Sequence, residues 1–523
     1  MLSHGADADT VTATQQTERP AVTNPNRTAS ILATTMPHQI WELADSVHRE
    51  GGTAWLVGGT VRDAATGTAG NDYDIEIHGL DLERLQSVLH RHTTHTDNVG
   101  AAFGVIKADI ADHTLDVSIP RRDSKQHGTN TRGIIAQPDP HMGIVEALRR
   151  RDFTINAIAY NLHNRTITDP YGGLNDLAHQ RLRVVDADTF PEDPLRVLRA
   201  AGFAGRLNLT TDPATDRILA ATTADLGSVS SERYWAELTK LLTKSARPST
   251  GLDLAHRVGA LAVVLPEVAA LSGVKQDPQW HPEGDAYVHT LKSVDAAAAV
   301  SDRDGHGTQR RLLIAVAALL HDIGKAPVWA ARGDAVGHDK VGANMVKEVL
   351  SRLHVDRHTG TQVASLTALH MRGHTMGENI SLSGLRRFCR DLSPASADLL
   401  ADLLDADTYG RDRPGASALL DTAREHRSSG AAFVLDKVKT LGAGAVESTV
   451  PDNLVTGADL LAAGMVPGRH IGSLIEEANN MDCTKQEALA VLVASAGAEC
   501  WTVPGKRTVT VAVARGSGII RGR

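Results

Sequence analysis

A short run of alternating acidic and apolar residues constrains this chain more than any other feature. Asp72, Asp74 and Glu76 alternate with the apolar and aromatic residues of the segment 71–77. Such alternation is typical of a β-strand, in which every second side chain points to the same face. The pattern predicts a strand whose two aspartates hold a divalent metal ion on one face. Taken alone, such a pair is more often the solvated end of a strand.

Two glycines and an arginine precede this acidic pair. Gly58 and Gly59 let a ligand approach the backbone, because no Cβ atom stands in the way, and Arg62 offers a forked donor suited to phosphate. Nucleotidyl transfer from a triphosphate needs both a phosphate-binding element and carboxylates that hold metal ions. The two elements together predict a nucleotide site, and Asp116, in a second short apolar segment, is expected to add a third carboxylate.

Three consecutive arginines, at 149–151, precede the apolar segment 153–159. One interpretation is a charged strand edge that prevents aggregation. The other is a phosphate clamp, because guanidinium groups bind phosphate in a forked geometry. The run alone leaves both open, and its place beside the preceding elements favours the clamp.

A helix start at 190–199 brings Asp193, Arg196 and Arg199 to one face, because they are spaced by three residues. In one interpretation Asp193 caps the helix and the arginines pair with acids. In the other, Asp193 accepts a hydrogen bond from the exocyclic amine of cytosine or adenine, and Arg196 donates one to the adjacent ring nitrogen. Uracil and guanine present the opposite order, so such a pair would select C and A without a template.

These motifs, taken in order, resemble the class II tRNA nucleotidyltransferase and poly(A) polymerase family. The resemblance is densest over residues 55–275 and rests on six segments, at 56–63, 71–76, 150–157, 169–177, 192–207 and 232–242. It implies an α+β head with a polymerase-β-like nucleotidyltransferase sheet, followed by an all-α neck, body and tail.

The resemblance also assigns roles at the nucleotide site. It implies that Asp72 and Asp74 bind Mg²⁺ and that Asp193 with Arg196 reads the base. The residues that it places on the incoming triphosphate or nucleotide are Gly59, Arg62, Arg151, Arg196 and Arg199.

The chain departs from the family pattern in places. Ala64 and Ala65 stand where relatives have two leucines, and Gly202 and Gly205 stand where relatives tend to have arginine and alanine. Each glycine is expected to weaken a helix by about 1 kcal/mol. The sequence therefore predicts a less rigid neck with the chemistry of the head intact.

A second group of metal-ligating residue types lies in the helical half of the chain. The doublet His321-Asp322 ends an apolar segment and is followed by Gly-Lys. It resembles the HD phosphohydrolase domain, which implies one metal held by His289, His321, Asp322 and Asp407 and a second held by His338 and His370. Imidazole with carboxylate suits a transition metal or Mg²⁺. The alternative is an RNA-binding body that retains these residues without activity.

Composition limits the partners and the cellular location that we expect for this chain. The net charge is −8, so an RNA partner requires a local basic face. Three widely spaced cysteines predict free thiols and a reducing, cytoplasmic location. No apolar run is expected to span a membrane.

Periodicity and breaks in composition predict six regions. Strands are expected near 53–57, 73–77, 103–108, 114–119 and 155–161, all in the head. The regions are a disordered leader over 1–35, the head over 36–185, a helical neck with nucleotide and RNA contacts over 186–274, an HD-type domain over 275–425, a helical tail domain over 426–505 and a basic tail over 506–523.

The resemblance implies template-independent addition of C, C and A to the 3′ end of tRNA, with CTP, ATP and tRNA as partners and Mg²⁺ as cofactor. One alternative is a poly(A) polymerase or A-adding enzyme on the same scaffold. Another is a metal-dependent HD phosphohydrolase that acts on nucleotide or RNA phosphates. A non-catalytic RNA-binding scaffold is disfavoured, because the metal-ligand positions are filled.

Overall fold

A computed structural model describes residues 24–68, 70, 72–93, 95–97, 105–125, 134–411, 419–439, 455, 457–463, 474–475 and 485–495. The chain forms two compact units. The first comprises residues 1–196 and 209–228, and the second comprises 197–208 and 229–523. The predicted neck over 186–274 is therefore divided between the two units.

A mixed sheet forms the centre of the first unit. Within the described residues, seven strands are hydrogen-bonded in the order β3-β4-β5-β2-β1-β8-β9. The β2–β5 pair is parallel and the other pairs are antiparallel. The strands, including two short separate pairs, are β1 Thr53–Val57, β2 Tyr73–His78, β3 His95–Asp97, β4 Val105–Ile110, β5 His113–Ser118, β6 Arg121–Lys125, β7 Ile134–Pro138, β8 Ala159–Asn161, β9 Ile167–Thr168, β10 Arg181–Leu182 and β11 Thr210–Thr211.

Alternation along β2 separates the core from the polar face, as predicted. Tyr73, Ile75 and Ile77 are at most 3% exposed, whereas the acidic residues between them are partly exposed. On β5, Leu115 and Val117 are fully buried on the same side as the apolar residues of β2. The helices of this part of the chain are α1 Pro25–Thr35, α2 His38–Arg49, α3 Gly59–Ala65, α4 Leu82–Leu89, α5 Ile144–Arg149, α6 Gly173–Ala178, α7 Arg196–Leu207, which continues into the second unit, and α8 Pro213–Thr223.

The described part of the second unit is helical, which confirms the predicted fold class. Helices α13, α14 and α19 pack on one another, and α16 packs on α17. The helices are α9 Ser231–Lys244, α10 Pro248–Arg257, α11 Ala260–Val264, α12 Pro266–Ala269, α13 Ala286–Arg303, α14 Thr308–Leu320, α15 Lys325–Arg332, α16 His338–Arg352, α17 Arg357–His374, α18 Leu382–Leu392, α19 Ala397–Tyr409, α20 Leu419–Glu425, α21 Ser429–Lys439, α22 Gly457–Ala462 and α23 Lys485–Ser495.

The stretch Thr308–Arg332 is long and apolar enough, by composition, to cross a bilayer. The expectation that the chain has no such run is therefore wrong. The most apolar window of this stretch is 78% buried inside the protein. It comprises α14 and α15 with a turn between them, and its burial is that of a core helix.

Two local predictions are corrected. The predicted leader is wrong for residues 25–35, which form α1, because Asn24 caps the helix, Pro25 starts it and Leu32 is 2% exposed. The arginine run does not enter a strand: it follows the end of α5, and a 3₁₀ turn at Thr154–Asn156 comes before β8. The predicted basic tail over 506–523 lies outside the described residues.

Candidate active site and metal centre

The head brings two of the three predicted carboxylates side by side. β2 and β5 run parallel, and Asp74 lies opposite Asp116 in their register. Paired residues on neighbouring strands point to the same face, so both carboxylates lie on the polar face. Asp72 precedes β2 and is exposed. Among the described side chains, these three do not form a group whose ligand atoms all lie within 4.8 Å of one another.

The acidic face is electrostatically strained. Burial raises the pKa of Asp74 to about 6, an effect that Arg151 opposes and that Asp72 and Asp116 reinforce. Asp116 Oδ1 accepts a hydrogen bond from Lys107 Nζ, 2.9 Å away. Local sequence pattern does not predict this lysine, because its place opposite Asp116 depends on the β4–β5 register. A cation bound to these oxygens would relieve the repulsion, and hard divalent ions take such oxygen ligands.

Gly58 leaves space directly beside Asp74. Its φ is +76°, and a Cβ atom there would lie 2.8 Å from Asp74 Oδ2 and 3.2 Å from Arg151 Nη1. Gly59 begins α3, and its Cβ would lie 3.5 Å from Arg62 Nη2. The glycine pair therefore forms an opening between the acid and two guanidinium groups, as a bound phosphate requires.

Arg62 is held rigidly within the head. It is 8% exposed, its Nε donates to Asp63 Oδ1 at 2.8 Å, and its Nη1 donates to Asn156 Oδ1 at 2.7 Å. These bonds fix the guanidinium plane over the start of α3.

The three consecutive arginines have different environments. Arg149 Nε donates to Asp186 Oδ2 at 2.6 Å, and Arg150 Nη2 donates to Glu192 Oε2 at 3.1 Å. Both pair with acids of neighbouring segments, and neither lies at the edge of a strand, so the strand-edge interpretation of the run is wrong. Arg151 differs, since its charge acts on Asp74 of β2.

A second acid on β2 is paired within the protein. Glu76 Oε1 lies 2.9 Å from His78 Nε2, and Glu76 Oε2 lies 3.9 Å from Arg151 Nη2. Burial alone would raise the pKa of Glu76, but the bond to His78 and the charge of Arg151 outweigh it and lower that pKa. Glu76 therefore helps to position Arg151.

The predicted base-reading pair is anchored by backbone atoms. Arg196 Nη1 donates to Thr189 O at 2.9 Å, and Arg196 Nη2 donates to Arg150 O at 2.8 Å. Asp193 Oδ1 accepts a hydrogen bond from the backbone N–H two residues further on, at 3.2 Å. Arg199 lies one turn further along α7, in the second unit.

In the second unit, three buried histidines share one orientation. His321, His338 and His370 each place Nδ1 2.7–2.8 Å from the carbonyl oxygen three residues earlier. A carbonyl only accepts, so Nδ1 carries the proton and each Nε2 presents a lone pair. Such anchoring of Nδ1 is the usual arrangement of metal-binding histidines.

The free ring nitrogens converge on Asp322. Its Oδ1 lies 3.1 Å from His338 Nε2, and its Oδ2 lies 3.3 Å from His321 Nε2. His370 Nε2 lies 3.3 Å from His338 Nε2, so two lone pairs face each other. His321 Nε2 and both Asp322 oxygens are buried without a well-oriented hydrogen bond. The donor set fits a divalent metal ion.

The remaining predicted ligands complete this group. His289 Nε2 lies 3.1 Å from Asp407 Oδ1 and 3.8 Å from Asp322 Oδ2. His289, His321 and Asp322 form one group of ligand atoms within 4.8 Å of one another, and Asp322, His338 and His370 form another. The structure thus brings all six predicted residues into one buried cluster.

Four residues around the cluster were missed. Glu283 Oε1 lies 2.9 Å from Nδ1 of both His281 and His289. Asp407 is held by His374 Nε2 at 2.6 Å and by Arg411 Nη2 at 3.0 Å. Helical spacing could have found two of them, because His374 follows His370 by four residues and Arg411 follows Asp407 by four.

Electrostatics keep the carboxylates charged and one imidazole neutral. Burial would raise the pKa of Asp322, but His321 and Lys325 outweigh it and hold that pKa well below its ordinary value. The pKa of Asp407 is likewise held well below its ordinary value, because Arg411 and His374 outweigh the effect of burial. Burial, helped by His321, lowers the pKa of His370 to about 3. Charged oxygens and neutral imidazole are the protonation states of metal ligands.

A third group, Asp304, His306 and Asp402, also has clustered ligand atoms. Here Asp402 Oδ2 accepts a hydrogen bond from Arg310 at 2.6 Å, and Asp402 Oδ1 accepts one from Arg427 at 3.2 Å. Guanidinium groups already supply the positive charge, so this group is an ion network in which Asp402 is buried and Asp304 is exposed.

Comparison with known families divides the chain in the same order as its architecture. The family described as "Poly A polymerase head domain" matches residues 54–183, "Probable RNA and SrmB- binding site of polymerase A" matches 208–271, and "HD domain" matches 286–463. The fold and the two sites define a protein that joins a nucleotidyltransferase head to a helical HD body.

Similar proteins identify the family within this class of protein. A protein of Xylella fastidiosa (strain M23) named "Multifunctional CCA protein" is 35% identical over 370 residues, which cover 68% of this chain and 84% of the relative. One of the same name from Xanthomonas campestris pv. campestris (strain B100) is 34% identical over 375 residues, covering 68% and 85%. The chain belongs to the family of multifunctional CCA proteins.

Solved structures share the fold. A Bacillus stearothermophilus CCA-adding enzyme in complex with CTP has a TM-score of 0.57 at 18% identity, with 88% of this chain and 98% of that chain covered. A Thermotoga maritima CCA-adding enzyme complexed with tRNA has a TM-score of 0.51 at 18% identity, with 90% and 98% covered. At this identity the likeness shows the fold.

Proposed function

We propose that this chain adds C, C and A to the 3′ end of tRNA, using CTP and ATP in the cytoplasm. The observation that carries the proposal is the Asp74–Asp116 pair, with the opening of Gly58 and the guanidinium of Arg151 beside it. Relatives named multifunctional CCA proteins point to the same reaction.

The residues of the head divide the work of nucleotidyl transfer. Asp72, Asp74 and Asp116 would hold Mg²⁺, which neutralises phosphate charge and makes the attacking hydroxyl more acidic. For this, Asp116 exchanges its bond to Lys107 for the metal. Arg151 stabilises the negative charge of the triphosphate. The RNA 3′ oxygen forms a bond to the α-phosphorus while the bond to pyrophosphate breaks, and the hydroxyl proton leaves to solvent.

Base choice is assigned to Asp193 and Arg196. Backbone carbonyls hold the Arg196 guanidinium in place, which supports a reader whose geometry exists before the nucleotide arrives. Such a pair matches the donor–acceptor order of cytosine and adenine. Arg199, one turn along the same helix, is proposed to contact the incoming nucleotide.

The test supplies a tRNA that lacks its terminal CCA, with labelled CTP, ATP or both. Incorporation of both nucleotides that stops after three is expected. Long A tracts without C would instead indicate a poly(A) polymerase, and incorporation of A alone an A-adding enzyme. Asp74→Asn should lower transfer by at least about 10³-fold, whereas Asp112→Asn, an exposed acid in the β4–β5 turn, should leave it unchanged.

We further propose that the second unit is a metal-dependent phosphohydrolase acting on nucleotide or RNA phosphates. The observation that favours it is the convergence of lone pairs at His321, His338 and His370 on buried Asp322. The test measures phosphate release with added divalent metals. His321→Ala should abolish release and leave CCA addition intact, and release that survives this change would refute the assignment.

A further inference from the structure

An exposed tryptophan stands out in a chain that has only six tryptophans, six tyrosines and six phenylalanines. Trp280 is 62% exposed, and among the described residues it is the aromatic member of the exposed large apolar side chains. An exposed indole costs solvation free energy unless a ligand or partner covers it. Exposure alone does not require a ligand, so the surroundings of Trp280 decide whether it could bind one.

The backbone around Trp280 is held in one conformation. Asp277 O accepts hydrogen bonds from Trp280 N at 3.1 Å and from His281 N at 2.8 Å. Gly284 N donates to His281 O at 2.9 Å, and Gln276 N donates to Gly284 O at 2.9 Å. These bonds close the loop 276–284, so the ring is presented from a fixed support.

The same loop touches the buried histidine–aspartate cluster. His281, the next residue after Trp280, packs its ring edge-on against His289, with centroids 4.7 Å apart. Lys325 Nζ lies 2.6 Å from Asp322 Oδ2 and donates to Gln276 Oε1 at 2.6 Å. Trp280 is therefore adjacent in sequence to a residue that packs against the cluster, and its own ring is exposed to solvent.

Two other exposed apolar residues are close in sequence to residues of the cluster. Val336 is 73% exposed and precedes His338 by two residues, and Met371 is 40% exposed and follows His370 directly.

We propose that Trp280 stacks on the nucleobase of the nucleotide whose phosphate lies at the histidine–aspartate cluster. The inference rests on the proposed phosphohydrolase function and adds a specificity residue to it. Aromatic stacking tolerates any base, because every base has a π-face. The base belongs either to a free mononucleotide or to the 3′-terminal nucleotide of an RNA.

The first experiment observes the indole itself in the full-length chain. Emission of Trp280→Phe is subtracted from that of the unmodified protein, which isolates Trp280, while Mg²⁺ and a probe are added. Adenosine 5′-monophosphate should quench this emission and ribose 5-phosphate should not. An RNA with a 3′-phosphate, tested separately, distinguishes the two sources of the base. The Asp74→Asn background excludes effects from the head.

The second experiment measures hydrolysis with and without a base. Trp280→Ala should raise the KM for adenosine 5′-monophosphate by roughly tenfold, the order expected for one lost base stack, without changing kcat or the KM for ribose 5-phosphate. Trp280→Phe should restore most of the loss. Leu382→Ala, an exposed apolar residue on α18, is the matched control.

The outcomes separate the two proposals. Hydrolysis of neither ester nor of the RNA with a 3′-phosphate refutes the phosphohydrolase, while the emission experiment still tests stacking. Equal quenching by ribose 5-phosphate, no quenching by either base-bearing probe, or an equal rise in both KM values overturns the role of Trp280. An equal rise in both KM values would instead indicate that the indole binds a protein partner or stabilises the loop 276–284.

Discussion

At the scale of single residues, the candidate active site of the head depends on the absence of a Cβ atom at Gly58. Gly58 combines a positive φ with a contact that leaves no room for a Cβ beside Asp74. Gly67 has a similar φ of +84°, but a Cβ there would meet nothing within 4 Å. Substitutions at these two glycines therefore distinguish the effect of backbone strain from the effect of a clash with Asp74.

We predict that Gly58→Ala abolishes nucleotidyl transfer, whereas Gly67→Ala retains it. Both changes impose backbone strain, because both glycines have a positive φ, and such strain costs about 1–3 kcal/mol of stability. Only the methyl group at 58 also displaces Asp74. Melting temperature and nucleotide incorporation are measured for both. Equal losses of activity in the two variants would show that strain alone matters.

The arginine run shows what sequence leaves undecided at this scale. Arg149, Arg150 and Arg151 are chemically identical. Only the path of the backbone at the end of α5 decides the direction in which each side chain points. Two of them pair with acids 37 and 42 residues away along the chain. Such partners belong to tertiary structure, and local pattern contains no information about them.

At the scale of elements, the two glycines of α7 have opposite consequences. A Cβ at Gly205 would lie 2.5 Å from Leu241 Cδ1, on α9, and 3.0 Å from Ser245 Oγ. A Cβ at Gly202 would meet nothing within 4 Å. The close approach of α7 to α9 thus explains one departure from the family pattern and leaves the other without a packing reason.

We predict that Gly202→Ala stabilises the protein by about 0.5–1 kcal/mol, because alanine lowers the entropy of the unfolded chain and favours helix. Gly205→Ala should destabilise it by about 1–3 kcal/mol through overpacking. Denaturant unfolding of the two variants provides the comparison. A stabilising Gly205→Ala would contradict the close packing of α7 on α9.

An ion pair joins α12 to α16. Arg352 donates to both oxygens of Glu267, at 2.6 and 2.8 Å. Burial would raise the pKa of Glu267, but the hydrogen bonds from Arg352 outweigh it and lower that pKa below its ordinary value. A depressed carboxyl pKa stabilises the fold above the unfolded-state pKa, and this stabilisation is lost as the pH falls through the folded-state pKa.

We predict that Arg352→Met lowers stability by no more than about 1 kcal/mol near neutral pH, since the guanidinium is 43% exposed and solvent screens it. The difference from the unmodified protein should shrink as the pH falls below the ordinary glutamate pKa and vanish below the lowered pKa of Glu267. Thermal unfolding across this range measures it. Lys347→Met, an exposed cation on the same helix, is the control, and its effect should not follow the same pH course.

Secondary structure was predictable where periodicity was strong. The alternation around Ile75 predicted both the strand and its polar face, and the predicted helix start at 190–199 contains the first residue of α7. The segment 155–161 misled because its apolar residues fit a strand, yet the structure makes a 3₁₀ turn first and a strand only at Ala159–Asn161. The second-unit ligands were predictable from resemblance, whereas their neighbours Glu283 and His281 required the folded loop.

At the scale of the whole molecule, the chain contains two unlike candidate metal sites, one in each compact unit. The candidate site in the head consists of carboxylates near the surface. The second is a buried set of histidines and aspartates. Only the second has ligand atoms already within 4.8 Å of one another among the residues described.

We predict that Mn²⁺ added to chelator-treated protein raises the melting temperature through the second site. A ligand at about 100 times its Kd adds about 2.7 kcal/mol to stability. His370→Ala should remove most of this gain and lower the bound metal by one equivalent or more. Melting curves and metal analysis provide the two readouts.

The control for metal binding is His306→Ala, in the cluster whose acids are already paired with arginines. It should leave the stoichiometry and the metal-dependent gain unchanged. If His306→Ala lost the metal-dependent gain in melting temperature and His370→Ala kept it, the metal would bind at the cluster that contains His306. That result would refute the assignment.

The parallel pairing of β2 and β5 ties the position of Asp116 to the packing of the core. Because side chains alternate, a shift of β5 by one residue against β2 would set Leu115 or Val117 beside Asp74 in place of Asp116. The same shift would turn these two fully buried side chains towards solvent. Burial on one face of the sheet therefore holds the two acids opposite each other on the other face.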